Sequence, residues 1–331
     1  MTSIATNLRG LGDVPQPAGA VSVEPFTRVS GGPLARLRAC WRALACDYVV
    51  VNCSPADLFD VCVAKMLWPF SPGRIVSLDT VLPVPRTDTT AAQLKLWVKR
   101  ILFRRVTLFI EYFRDTDGYE RHYGMPRARF RYVPFKVNRY ERVLATPTRD
   151  DGYIFCGGNT RRDFATLIAA LRDLPLPVTI VTMSDQVIAG HGSSLDERTL
   201  PPHVRVVRHD GSDSFLDYVA AARLVALPIR RENISASGIG VYLAAMALGK
   251  CVVISAGPAV NGVVPPGAAL IVPPEDPGAL RAALERAYRD DTLRQTVAAA
   301  GRAYALSLGG EDRLCASVLA VVLADREGRA P

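Results

Sequence analysis

The stretch Ile234–Ser255, ISASGIGVYLAAMALGKCVVIS, places a turn of Ser and Gly before an apolar helical run and follows it with Lys250 and a β-branched strand. Glycine lets backbone approach closely. The first N–H groups of a helix have no partner inside the helix and can hold phosphate oxygens. Ser237, Gly238, Ile239 and Gly240 are therefore candidate anion contacts, with Arg230, Arg231 and Lys250 as added charge. Lys250 follows the helix and serves only if the fold brings it back to the turn. A tight turn with close helix–strand packing would use the same residues. Neither GxxxxGK[ST] nor an opening GxGxxG is present, so this is not a Walker loop or a dinucleotide fingerprint.

A second turn of the same kind is CGGNTRRDF, Cys156 to Phe164. The strand YIFCGG opens onto Gly157, Gly158 and Asn159, and Arg161 and Arg162 can fork onto phosphate. Asp163 or Thr160 can cap the helix that follows. Two glycine turns, each after a strand and each beside arginines, point to a ligand bearing a diphosphate.

Strand and helix patterns alternate outward from these turns. RDFATLIAALRDL, PVTIVTM, HVRVVRH, SFLDYVAAA, LVALPI and ALIVPP read alternately as helix and strand, and a long Ala-rich helical region ends the series. DYVVVNCSP, DLFDVCVAKMLW and GRIVSLD alternate likewise in the first half, which closes on the β-rich run RFRYVPFKV. Such alternation predicts parallel sheets covered by helices. LATPTRDDG, Leu144 to Gly152, reads as a joint. The expected division is a flexible arm over 1–20, a Rossmann-like domain over 21–145, a second over 146–310, and a C-terminal helix and tail over 311–331, packed back on the first domain. Ligands of open parallel sheets bind beyond the carboxyl ends of the strands, so a cleft between two such domains is the expected site.

The chain has 331 residues, 49% of them hydrophobic and 22% charged, which suits two globular domains. Its seven cysteines form no CxxC pair and fit buried thiols in a reducing compartment. With four histidines and no clustered ligands, no metal site is expected. No apolar run reaches the length of a membrane span, and the N-terminus lacks the apolar run of a signal peptide. The net charge of +8 admits a polyanionic partner. Nucleic acid is disfavoured, because no aromatic platform or helix-turn-helix signature accompanies the charge.

The second half resembles the donor-binding domain of retaining, two-domain glycosyltransferases of the sucrose-synthase-like group, from about Tyr153 to Ala305. LVALPI, GVYLAAMALGKCVVIS and GAALIVPPEDPGALRAALERAYRDD carry the likeness, in that order. It implies a GT-B fold: α/β, with two doubly wound Rossmann-like domains facing each other across a cleft. It also implies a nucleotide-sugar donor, UDP- or GDP-linked, as co-substrate and no other cofactor. Arg162 is the preferred phosphate contact, with Arg230 second; the Gly157–Gly158 turn lines the opposite wall from Gly238–Gly240. The base and ribose fall near Val207–Asp210, with His209 as a candidate. The family often carries two glutamates where this chain has Ala236 and Ala245, or Ala244 on a shifted count; Glu232 is nearby at different spacing. A changed donor arrangement or lost activity are both open.

The first half resembles the acceptor domain more faintly. RIVSLDTVLP is similar to the strand ending in a cleft residue, here Asp79, which would orient an acceptor hydroxyl or cap a turn. FRDTDGYERHYGMP is similar to the helix before a YG-x-P turn, with Arg114 and His122 facing either the cleft or solvent. AAQLKLWVKRILFRRVTLFI, residues 91–110, reads as one basic helix in which Lys95, Trp97, Lys99, Arg100 and Arg104 suit either an anionic membrane surface or acceptor, or a solvated helix face. The expected activity is transfer of a sugar to a hydroxyl on a glycan or lipid-linked acceptor, with retention, in glycolipid, polysaccharide or glycoconjugate synthesis. The protein would be cytoplasmic, at the inner membrane face, as monomer or homodimer. A sugar-nucleotide epimerase and a nonenzymatic basic protein with a degenerate donor site are the competing readings.

Overall fold

The computed structural model describes residues 1–16, 20–27, 32–209, 214–231 and 234–328. The strands are β1 (Thr2–Thr6), β2 (Val21–Pro25), β3 (Tyr48–Asn52), β4 (Arg74–Leu78), β5 (Val106–Glu111), β6 (Phe130–Tyr132), β7 (Ile154–Gly157), β8 (Val178–Thr182), β9 (Val204–Arg208), β10 (Leu224–Leu227), β11 (Cys251–Ser255) and β12 (Leu270–Val272). The helices are α1 (Pro33–Ala43), α2 (Pro55–Leu67), α3 (Thr90–Phe103), α4 (Asp117–Tyr123), α5 (Tyr140–Ala145), α6 (Phe164–Leu171), α7 (Asp185–Gly190), α8 (Ser214–Ala221), α9 (Ile239–Ala247), α10 (Pro277–Arg289), α11 (Asp291–Leu308) and α12 (Glu311–Arg326). The chain divides into two units, one of residues 1–134 with 312–331, the other of residues 135–311.

The first unit holds a parallel sheet in the order β2-β1-β3-β4-β5-β6. From β2 onward each step moves the same way across it. Right-handed crossovers therefore set α1, α2, α3 and α4 on one face. α12 belongs to this unit: the Tyr48 hydroxyl donates to Asp325 at 2.8 Å, and Cys315 Sγ donates to the Arg9 carbonyl at 3.4 Å.

Three expectations fail in this unit. The first twenty residues are not a loose arm: β1 lies between β2 and β3, with Ile4 wholly buried. Its five residues are too short to show a period among the surrounding Gly and Pro. Residues 91–110 are not one helix. α3 ends at Phe103, and VTLFIE is β5, buried between β4 and β6, where β-branched and aromatic side chains suit a strand. RFRYVPFKV yields only β6, because Pro134 supplies no N–H to a ladder.

The second sheet runs β12-β11-β10-β7-β8-β9, all parallel. The chain moves one way from β7 to β9, then restarts at β10 on the other side of β7. The order thus reverses between β7 and β10, and the crevice outside their carboxyl ends is where open sheets hold ligands. Ile154, Cys156, Ile180, Leu224, Ala226 and Val253 fill the core between this sheet and α6, α10 and α11. The boundary lies at Pro134–Phe135 rather than at 145–146. Residues 135–145 join the second unit because Val137 N–H donates to the Gly309 carbonyl at 3.0 Å, Val137 and Val143 are buried, and α5 packs on α9.

Candidate active site

The strand reversal opens into a cavity of about 440 Å³ in the second unit. One wall is the turn after β7. Gly157 has no room for a side chain: a Cβ there would lie 2.3 Å from Phe155 Cζ and 2.9 Å from the Val181 carbonyl oxygen. Gly158 takes φ +95, a left-handed conformation that favours glycine. Asn159 pins the turn to the end of β8, its Oδ1 accepting from Met183 N–H at 3.2 Å and Thr182 Oγ1 at 3.3 Å. The other wall is the start of α9, where Gly238 caps the helix at φ +87. Asn138 abuts Gly240, so that a Cβ there would meet Asn138 Nδ2 at 2.9 Å.

Arg162 lies between the two turns. Its side chain is 1% exposed. Nε donates to the Gly157 carbonyl at 2.7 Å and Nη1 to the Thr160 carbonyl at 3.0 Å. The guanidinium is so close to the glycines that a Cβ on Gly158 would lie 2.6 Å from Nη2, and one on Gly238 3.4 Å from both Nη1 and Nη2. Its backbone is fixed by Ser193, whose Oγ accepts from Arg162 N–H at 2.8 Å and donates to the Asn159 carbonyl at 2.6 Å. Among the described residues no carboxylate pairs with Arg162, and burial pulls its pKa down to about 10, which still leaves it charged at neutral pH. A buried cation without a partner is costly; an anion entering the cavity would supply one.

Of the donor-site residues expected from sequence, Gly158, Asn159, Arg162, His209, Gly238 and Gly240 line this cavity. Gly157 contributes the carbonyl that holds Arg162. Ser237 is buried beside the α9 turn, and Ile239 is buried as the first residue of α9. His209 packs its ring against Phe215, with centroids 5.3 Å apart. Asp210 and Glu232 lie outside the described residues. Arg161 and Arg230 are not in the lining: Arg161 packs against Gly192, and Arg230 Nη2 donates to Ser194 Oγ at 3.3 Å. Lys250 is a correction. It precedes β11, at the amino ends of the strands, and its Nζ donates to the Arg149 carbonyl at 2.6 Å. The cavity is at the opposite, carboxyl ends. Asp163 caps α6, accepting from Thr166 N–H at 3.0 Å.

Sequence reading missed Asn138, Arg139, His191 and Phe215, which also line the cavity. His191 follows the helix after β8, and the carboxyl-end rule pointed there. Asn138 and Arg139 had no such signal, because they precede the second sheet. Ala244 lines the cavity, whereas Ala245 is buried.

In the first unit, Asp79 follows β4 at φ +55, its N–H donating to the Ile110 carbonyl at 2.9 Å. Burial raises its pKa, with a hydrogen bond to Cys53 working against the rise. Glu111, at the end of β5, escapes the sequence reading because a helix expected over 91–110 hides the strand that it closes. It is wholly buried; Oε1 accepts from Thr80 N–H at 3.1 Å, and Oε2 has no partner among the described residues. Burial and then Asp79 push its pKa well above the ordinary carboxylate range. On α3, Lys95 and Trp97 are exposed, as is Arg104 just beyond its end; Lys99 lies 5.9 Å from the Tyr123 ring centroid, and Arg100 donates to the His122 carbonyl at 2.8 Å. Arg114 stacks 4.0 Å from the Tyr132 ring centroid. Among the described residues no group of His, Cys, Asp or Glu is placed to hold a metal, and no helix is long and apolar enough to cross a membrane.

Residues 153–290 match the family model described as glycosyl transferases group 1. Sucrose-phosphate synthase from Thermosynechococcus elongatus superposes over 99% of this chain and 100% of its own, with TM-score 0.69 at 18% identity. The chain has a GT-B fold. HepE from Anabaena, solved with UDP and glucose, matches over 98% of this GT-B chain and 100% of its own, with TM-score 0.66 at 13% identity. The α,α-trehalose 6-phosphate synthase of Burkholderia multivorans covers 90% and 77%, with TM-score 0.61 at 12% identity. At these identities the likeness is one of fold. No curated protein sequence matches the GT-B chain significantly. The group 1 match spans β7 to α10 and therefore contains both glycine turns and Arg162.

Proposed function

We propose that the protein transfers a sugar from a nucleotide-diphosphate donor to a hydroxyl acceptor, with the donor diphosphate on Arg162. The observation that carries this reading is the buried guanidinium, which meets no carboxylate among the described residues and is held between the Gly158 and Gly238 turns. HepE was solved with UDP-glucose as well as with UDP, which supports the same ligand class on this fold. As the bond from the anomeric carbon to the departing phosphate oxygen breaks, negative charge builds on that oxygen. Arg162 Nη2 and the N–H groups opening α9 are pre-organised to meet it, and such groups lower a barrier most when solvent is excluded. The acceptor oxygen forms the new bond to the anomeric carbon as its proton passes to the departing phosphate oxygen, and retention of configuration follows the family resemblance. Asp79 is assigned to orient a glycan or lipid-linked acceptor hydroxyl. Ala244 leaves the ribose to other groups, of which Asn138 and His209 are within the cavity lining.

Isothermal titration of the full chain with UDP, GDP and ADP tests the reading. Binding of one of them, followed by turnover of its sugar derivative only when an acceptor is added, is the expected result. Failure to bind any of the three removes the donor site and the activity with it.

A further inference from the structure

All three tryptophans of the chain lie on one layer of the first unit. Trp41 is on α1, Trp68 caps α2 and Trp97 is on α3, and they are 38%, 38% and 59% exposed. The layer does not need them for its core. Its inward positions are filled by Leu58, Val61, Cys62, Leu96 and Leu102. Single exposed apolar side chains are ordinary, whereas several gathered on one surface mark a contact site.

The three helices run side by side after parallel strands, so their C-terminal ends share one edge. There Trp41 and Trp68, with Leu67, line a groove of about 530 Å³ that also takes in Arg42 and Ala45. Phe70, just beyond α2, is 94% exposed. The charge on these three helices is mainly positive. α1 and α3 contain no acidic residue, while α1 carries Arg36, Arg38 and Arg42 and α3 carries Lys95, Lys99 and Arg100, followed by Arg104 and Arg105. On α2, Asp57 is buried and Asp60 pairs with Arg36 at 3.6 Å. Cations near helix C-termini gain from the helix dipole, but the dipole asks for no exposed aromatic beside them.

We infer that the outer face of α1, α2 and α3 docks on an anionic phospholipid surface, with Trp41, Trp68 and Phe70 entering the headgroup region and the flanking arginines meeting lipid phosphates. Tryptophan favours that depth because its ring is apolar and its N–H needs a polar partner. Arginine can lay its stem along the apolar patch while its head stays with phosphate. A second copy is the weaker occupant, because a self-complementary contact would set these arginines against one another. The surface is wider than the α3 stripe visible in the sequence, and its centre is the groove between α1 and α2. The inference does not rest on the donor-site reading, which concerns the other unit.

Sedimentation with vesicles of phosphatidylcholine, and of phosphatidylcholine mixed with phosphatidylglycerol, tests it, read together with intrinsic tryptophan emission. The expected result is binding to the mixed vesicles alone, a blue-shifted emission, and weakening by salt. Arg42→Gln with Arg104→Gln should lower partition about five-fold per arginine at low salt, and Trp41→Ala with Trp68→Ala should remove most of the emission shift. UDP affinity should be the same in every variant as in the wild type, which separates this test from that of the donor site. No sedimentation of the wild-type chain with mixed vesicles overturns the inference, as does equal binding to both vesicle kinds. A concentration-dependent dimer that the tryptophan variant dissolves would instead make the face a contact between copies. The wild-type comparison of the two vesicle kinds decides even where a variant fails to fold.

Discussion

Arg162 is a buried cation held by backbone carbonyls. Burying a guanidinium costs several kcal/mol unless an anion meets it, and here two backbone carbonyls are all it receives from the described residues. Arg162→Met removes the cation and keeps an unbranched apolar stem. A hydrogen bond to a charged group is worth about 1.5–3 kcal/mol, so nucleotide affinity should fall about ten- to a hundred-fold. Titration calorimetry reads the loss, and unchanged affinity would place the diphosphate elsewhere. Glu111 is the acidic counterpart in the first unit. Its raised pKa means that the folded state holds a proton that the unfolded chain releases. That contribution is complete below the ordinary carboxylate range and is lost as pH rises through the raised value. Asp79, itself raised by burial, and the Cys53 thiol beside it face the same cluster. Glu111→Gln keeps an acceptor for Thr80 N–H and titrates nothing. Denaturant unfolding across pH should show the wild type losing stability relative to this variant as pH climbs above about 4. Parallel curves would refute the buried, protonated glutamate.

At the scale of the element, β1 and the turn after β7 teach different lessons. β1 reads as a loose arm because its five residues are flanked by Gly and Pro, yet it pairs with a strand on each side. It packs against α1 and beside β3, which both follow it in the chain. Ile4→Ala should therefore cost about 2–5 kcal/mol, the range of a core truncation. A urea unfolding curve measures it, and a change near zero would restore the loose arm. The β7 turn was legible from the start. CGGN shows a strand meeting glycines, and the reason is local: Gly157 has no room for a Cβ, and Gly158 needs a positive φ. Likewise S-G-I-G opens α9 through Gly238. The basic segment 91–110 was misjudged because its apolar residues fit a helical period into β5, and only burial on both faces separates the two.

For the whole molecule, a donor that binds the native state alone must stabilise it. UDP at a hundred times its dissociation constant should add about 2.7 kcal/mol. Calorimetric melting of the full chain with and without nucleotide reads this, and Arg162→Met should abolish most of the shift. An unshifted melt with UDP, GDP and ADP alike would argue that none of them is a ligand. The sequence by itself determined the two α/β units and both glycine turns. These depend on local backbone needs and on periodicity, which neighbouring residues fix. Only the tertiary structure decided that Lys250 lies at the wrong end of its strands, that Glu111 is buried beside Asp79, that Ala244 and not Ala245 meets the cavity, and that three distant tryptophans share one surface. Each of those depends on strand order and burial, and a chain read one segment at a time carries neither.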